Sequence, residues 1–466
     1  MNQLLQNDLN QLDAILEKTK QQGLSYTHQL NTRPTSTRAT ITKKDTLNPE
    51  GLGALGALEA FNERLEPLMV ASSGPRYWGF VTGGSTPGAI VGDWLATVYD
   101  QNTQSENGNG DNSAKIELET IQLLLDLLEL PKEYLGGFVT GATMSNFTAL
   151  AVGRQWLGKQ KGIDIAKEGV TPNLKVLTAT PHSSALKSLA LLGMGSNNFI
   201  KIKVVEGNRE AIDPVDLEQK IMALEGAPFI LISSGGTVNT VDFDDFEAIS
   251  KLREKYAFWW HIDAAFGGFA ACSPSHKHLL KGWEGADSIT VDCHKWLNVP
   301  YESAVFFIKE KHRKLQVETF QNSNAPYLGD PLENFTYLNF LPENSRRLKA
   351  LPAWFSLMAY GKNGYRDIVE NNIQNALQLG AFVETNPLFE ILAPVRLNTV
   401  CFSLAGTENQ ENVNIFLKKL NDTGKVFMTP TVYNGKKGIR AAFVNWRTSA
   451  HDIVEVTQLM ETLAKA

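Results

Sequence analysis

The residue with the most pointed chemistry is a lysine that follows a short apolar run. In Asp287-Ser288-Ile289-Thr290-Val291-Asp292-Cys293-His294-Lys295-Trp296, the stretch Ser288 to Val291 reads as a buried strand of a mostly parallel sheet, and polar residues follow at once. Lys295 thus falls just past a strand's carboxyl end, where open α/β sheets take their ligands. Beside Trp296, Leu297 and Val299, an unpaired amine loses part of its hydration, which favours the neutral form that attacks aldehydes. A lysine snorkelling over a tryptophan is the ordinary alternative, so a second group has to converge on it.

His261-Ile262-Asp263-Ala264-Ala265-Phe266-Gly267-Gly268 supplies that group, 32 residues upstream of the lysine when counted from Asp263. It follows the aromatic run Phe258, Trp259 and Trp260, so Asp263 again ends a buried strand. A carboxylate in that position is either a structural cap or the partner of a cation in the crevice. Pyridoxal phosphate requires the second, because its ring nitrogen must stay protonated to draw electrons. A strand-end Asp and a strand-end Lys are the pair such a site needs.

The elements around them supply further candidates. Gly136-Gly137-Phe138-Val139-Thr140-Gly141-Ala142-Thr143-Met144-Ser145-Asn146 runs into a helix at Phe147. Free amides at a glycine-rich helix start suit a phosphate, although a plain Ser/Thr cap reads the same way. Lys175 to Thr180 is another strand, and His182 follows it. Pro228 to Ile232 ends in Ser233-Ser234-Gly235-Gly236-Thr237. Asp242, Asp244 and Asp245 precede Phe246 and read as helix-start charge rather than as a metal set. Gly51-Leu52-Gly53-Ala54-Leu55-Gly56 matches the dinucleotide fingerprint letter for letter, but turn chemistry precedes it where a strand is required, so it is rejected. Asn322 to Pro331, with two prolines and a glycine, reads as a long binding loop.

With 43% hydrophobic residues, 20% charged residues and a net charge of −6, the chain has material for a large core. No basic stripe invites nucleic acid, and no run spans a membrane. Cys272, Cys293 and Cys401 lack metal-ligand spacing and the first residues lack a secretory layout, so a reduced, cytoplasmic setting is expected. The Asn-x-Thr triplets at Asn146, Asn334 and Asn421 then carry no glycan. Residues 1–22 have helical apolar spacing, 29–47 read as a linker and 101–114 as a surface loop. Beyond Tyr365 the pattern turns to helix, short strands (397–404, 425–430, 438–443) and a final helix. The expected division is an N-terminal helical segment 1–85, which must pack on a partner subunit or on its own domain, a large α/β unit 86–364 and a small C-terminal domain 365–466.

The blocks "HIDAAFGG" and "DSITVDCHKWLNVPY" resemble the pyridoxal-phosphate-dependent group II amino-acid decarboxylases, and the likeness extends from about Gly74 to the C-terminus. It implies the aspartate-aminotransferase-like, type I fold of pyridoxal-phosphate transferases: α/β, a mostly parallel central sheet flanked by helices, an N-terminal segment and a small α+β C-terminal domain. It implies a homodimer with interfacial active sites and an L-amino-acid substrate converted to its amine and CO2, with no metal. Another reaction of the same cofactor, or a binding protein of the same fold, is the alternative.

Carried over residue by residue, the resemblance makes Lys295 the covalent holder of the cofactor, Asp263 the partner of its ring nitrogen and His182 the cover over the ring. Ala142 and Thr143 match the phosphate contacts, with Thr237, Ala265, Asp292 and His294 as further cofactor neighbours. Phe80 and Thr82, in the block Pro75 to Pro87, match substrate contacts. Tyr327 matches a loop tyrosine that protonates the α-carbon, often in the neighbouring subunit. Ser345-Arg346-Arg347 and Trp354 match a structural block. Val238 and Val241-Asp242 depart from the family's Gly-Thr-Thr and Gly-Ala, which weakens the case for Thr237.

Overall fold

Seven strands, nearly all buried on both faces, form the central sheet of this computed structural model, which describes residues 2–41, 46–106, 111–321, 332, 335–406 and 410–465. They are β1 (Tyr134–Val139), β2 (Lys175–Thr178), β3 (Ile200–Lys201), β4 (Phe229–Ser234), β5 (Trp259–Asp263), β6 (Ser288–Val291) and β7 (Ala304–Lys309), in the order β1-β7-β6-β5-β4-β2-β3. Apolar runs such as Phe-Ile-Leu-Ile in β4 suit a sheet with helices on both sides. The pairs β6-β5, β5-β4, β4-β2 and β2-β3 are parallel, whereas β7 is antiparallel to both β1 and β6. The sheet is thus mostly parallel, as expected, with one reversed strand.

That reversal places the lysine. After β6 the chain makes one short helical turn, Cys293–Trp296, and pairs straight back as β7, with Val291 opposite Val305. A parallel return would have needed a full crossover. Lys295 therefore lies at the carboxyl edge of the sheet, beside the end of β5, where Asp263 pairs in register with Thr290 of β6.

The helix Ala142–Gln160 leaves β1 and crosses the sheet. A Cβ at Gly153 would stand 2.9 Å from Trp259 Cδ1, so glycine lets this helix press onto β5. The close approach brings the helix's first turns against the residues that end β5.

A second sheet of β8 (Phe389–Ile391), β9 (Thr399–Leu404), β10 (Thr429–Tyr433) and β11 (Lys436–Ala442) is antiparallel throughout, in the order β10-β11-β9-β8. One long helix, Ala350–Thr385, leads into it and is broken at Gly361, where φ is 56°. A kinked helix rather than a linker thus crosses the expected boundary at 364/365.

Two expectations for the N-terminal region change. The first helix is two helices, Gln3–Asn10 and Leu12–His28, broken at Gln11. The expected linker is tied down where it is described: Thr35 N–H donates to Gly424 O at 2.8 Å, and Arg38 pairs with Asp422. The segment Gly53–Arg64 is a helix entered from irregular chain, with no strand before it among the described residues. Among the described residues, no helix is long and apolar enough to cross a membrane.

Candidate active site

The amine expected to be unpaired has a partner. Lys295 Nζ lies 2.9 Å from Asp292 Oδ2, one helical turn earlier, and His294 Nε2 is 3.6 Å from the same oxygen. Its apolar sequence neighbours Trp296, Leu297 and Val299 are buried in the core. The amine lies over the ring of Phe266, with the centroid at 5.5 Å. Asp292 Oδ1, also buried, has no hydrogen-bond partner among the described residues.

Asp263 is 7% exposed, and each oxygen accepts one hydrogen bond. Asn146 Nδ2 donates to Oδ2 at 2.9 Å, and the backbone N–H of Ala265 donates to Oδ1 at 3.2 Å. Asn146 also bonds the ring of His261, which burial brings down to a pKa of about 4.

His182 caps the helix Ser183–Leu191, with Nδ1 2.7 Å from Ser184 Oγ. Burial lowers its pKa; Asp263 opposes that shift, while Lys295 and Arg440 add to it. Burial likewise lowers the pKa of His294, partly offset by Asp292. Ala142 and Thr143 open the helix Ala142–Gln160, whose N-cap Gly141 offers no side chain to the first amides. Thr237 is differently committed: its hydroxyl donates to Glu210 Oε2 and accepts from the Asp242 amide. It belongs to a buried polar knot rather than offering a free hydroxyl.

The substrate candidates sit on a loop laid over the lysine's own backbone. A Cβ at Gly83 would fall 2.0 Å from Lys295 O, so glycine alone permits this approach. Phe80 and Val81 hold φ of 56° and 58°, costly values for bulky side chains. Phe80 leans on Phe427, which stacks on Tyr77 at 4.7 Å. Thr82 lies beside the Tyr301 hydroxyl, and the Tyr301 ring lies over His294 at 4.2 Å. Burial raises the Tyr301 pKa, and the neighbouring Thr82 hydroxyl opposes this.

Asn298 fastens these pieces together. Its Oδ1 accepts from Gly84 N–H (3.1 Å) and Trp446 N–H (3.0 Å), and its Nδ2 donates to Trp296 O (2.8 Å) and Val444 O (2.9 Å). Its φ of 55° is one that asparagine tolerates.

Sequence reasoning passes over two participants. Arg440, on β11, donates from Nη1 to Val238 O at 3.0 Å, but its buried Nε has no partner among the described residues. Burial lowers its pKa. The sign available in the sequence is a lone arginine inside the apolar run Gly438-Ile439-Arg440-Ala441-Ala442. Tyr301 stands in the quoted lysine block without any local mark of its position.

The carboxylates before Phe246 divide their labour. Only Asp245 caps the helix Phe246–Arg253. Asp242 forms a two-pronged ion pair with Arg209, and Asp244 accepts from the amides of Ile212 and Ser234. Among the described residues, no group of three or more His, Cys, Asp or Glu is placed to hold a metal ion. Arg346 is buried against Glu117 at 2.7 Å, beneath β1 and away from Lys295. Tyr327 lies outside the described residues.

These groups fit pyridoxal phosphate. A lysine amine, a carboxylate held by two donors, a flanking histidine and an uncapped helix start converge on one sheet edge, and a carboxylate oxygen beside the lysine lacks a partner.

Comparison with known proteins gives the same chemistry. The model of the pyridoxal-dependent decarboxylase conserved domain matches residues 42–405. An aromatic-L-amino-acid decarboxylase of Bacillus atrophaeus is 28% identical over 84% of this chain and 81% of its own. A phenylacetaldehyde synthase of a Rosa hybrid cultivar is 26% identical over 90% and 85%. The crystal structure of Catharanthus roseus tryptophan decarboxylase in complex with L-tryptophan superposes with a TM-score of 0.86, at 22% identity and 98% coverage of both chains. With the family's domain matched over most of this chain and the lysine edge built as described, this chain belongs to the pyridoxal-dependent decarboxylase family.

Proposed function

We propose that this protein removes the α-carboxylate of an aromatic L-amino acid, with pyridoxal phosphate held at the carboxyl edge of β5 and β6. The observation that carries the reading is the placement of Lys295 and Asp263 at the ends of two neighbouring strands paired in register. When bound, the cofactor supplies a sink for the electron pair released at the α-carbon.

The chain's own residues do the rest. Lys295 attaches the cofactor and later frees the amine product, and Asp292 and His294 hold its side chain in place between those events. Asp263 supplies a fixed negative charge to the ring nitrogen. His182, whose neutral form burial favours, would cover the ring. Arg440 is the buried cation suited to hold the α-carboxylate, and would so orient the substrate for loss of that group. The rings of Tyr77, Phe80, Phe427 and Tyr301 favour a flat, apolar side chain. Assays of CO2 release should give kcat/KM at least about tenfold higher for phenylalanine, tyrosine, tryptophan or dihydroxyphenylalanine than for glutamate, cysteine sulfinate or diaminobutyrate. The reverse order would overturn the aromatic preference, and CO2 from none of them would overturn the reaction.

Tyr327 is assigned the proton returned to the α-carbon on its sequence match alone. Tyr327→Phe should keep part of the CO2 release while amine formation falls by roughly 10²-fold. Dioxygen would then be consumed and aldehyde would accumulate. Amine at the wild-type rate would reduce Tyr327 to a packing aromatic.

A two-fold dimer completes the proposal. Leu5, Leu9, Leu12 and Leu16 are exposed along the first two helices, and Val91, Trp94 and Val98 on the helix Pro87–Tyr99. So much exposed apolar surface on adjoining helices suits a partner subunit. Light scattering is expected to give a dimer, and a fully active monomer would refute it.

A further inference from the structure

Asn146 is surrounded by groups that leave it only one orientation. A carboxylate can only accept, so the amide nitrogen must face Asp263 Oδ2 (2.9 Å), and it also reaches Ser184 Oγ (3.0 Å). Oδ1 then faces His261 Nε2 at 2.8 Å, and that nitrogen must carry the ring's proton. His261 Nδ1 becomes an acceptor for Ser288 Oγ–H at 2.9 Å, and Trp259 Nε1–H donates to the same Ser288 oxygen at 3.2 Å. Every donor in the series Trp259, Ser288, His261, Asn146 therefore points the same way, and the series ends on Asp263. Asn146, His261 and Ser288 are each fully buried, so water does not compete for these bonds.

We propose that Asn146 and His261 are positioning residues for the reaction, a one-directional hydrogen-bond series that fixes the Asp263 carboxylate against the ring nitrogen of the cofactor. This rests on the assignment of Asp263 given above. The low pKa of His261 agrees with it, because a doubly protonated ring would turn the Ser288 bond around. The glycine at 153, which lets the Asn146 helix press onto β5, gives the series its short distances. A parallel branch from Asn146 through Ser184 to His182 Nδ1 ties the residue above the ring to the same amide.

The experiment uses the cofactor-loaded enzyme and Asn146→Ala, Asn146→Asp, His261→Gln and His261→Leu. Asn146→Ala should still attach pyridoxal phosphate at Lys295, as seen by borohydride trapping. Its kcat should fall about 30-fold with KM changed less than threefold, and the pH midpoint of its visible absorption band should shift. Asn146→Asp, which cannot donate to Asp263 and adds a like charge, should be worse and should lose cofactor on dialysis at least tenfold faster. His261→Gln, which keeps a donor, should retain more kcat than His261→Leu. Nitrogen-15 spectra of the wild-type histidines should show His261 protonated at Nε2 only.

Wild-type kcat and band midpoint in Asn146→Ala, or a His261 proton on Nδ1, would overturn the proposal. So would a loss that merely follows thermal stability or cofactor occupancy. If Asp263→Ala itself is fully active, the reading of Asp263 fails; if it is impaired while Asn146→Ala is normal, only the series fails.

Discussion

Lys295→Ala is expected to abolish amine formation, with kcat/KM down by roughly 10³-fold or more, equivalent to at least about 4 kcal/mol. Borohydride followed by mass spectrometry should then find no pyridoxyl group on the chain. The substitution has a second effect to separate out. It leaves Asp292 buried, with Oδ1 already unpartnered and Oδ2 facing only His294 at 3.6 Å. Stranding a buried carboxylate costs about 1–3 kcal/mol of stability or more. Lys295→Arg is the control, since it keeps a cation beside Asp292 but is always protonated and cannot attach the cofactor. It should melt near the wild type and remain as inactive as the alanine variant. Activity within tenfold of wild type in either variant would remove Lys295 from the centre of the reaction.

Asp263→Ala is expected to act on a different step. Covalent attachment at Lys295 should survive, but the fixed charge at the ring nitrogen is gone. Loss of one preorganised group of this kind costs about 10²–10³ in kcat, or about 3–4 kcal/mol. Asp263→Asn keeps the shape without the charge and should be nearly as slow. Near-normal turnover at saturating cofactor in both variants would show that Asp263 serves only the fold.

What the sequence reveals follows from how local each signal is. Lys295 and Asp263 are legible because each ends an apolar run that can only be a buried strand, and the motifs around them are contiguous. The pairing of Lys295 with Asp292 is equally local, three residues apart, yet it appears only once that stretch is known to be a helical turn. Asn146 is not legible as a participant, because its partners Asp263 and His261 lie 117 and 115 positions away. Nothing nearby distinguishes it from a helix asparagine. Arg440 is hidden for the same reason, being brought to His182 by the second sheet. The reversed direction of β7 depends on a short connection whose turn geometry no periodicity encodes. The two-helix N-terminus shows the limit of periodicity itself, since apolar spacing continues across the break at Gln11.

Asn298 gives the lysine turn an unusual dependence on distant chain. Through one side chain it shares hydrogen bonds with Gly84 and with Val444 and Trp446, residues separated by most of the sequence. Freeing any one of these segments unsatisfies the buried amide that holds the other two, so they open together as one cooperative unit. Lys295 therefore has no smaller autonomous setting. A fragment that ends before the second sheet would keep the residues of the central sheet's edge but lose the clamp that shapes it, and the ability to present Lys295 is a property of the nearly complete chain.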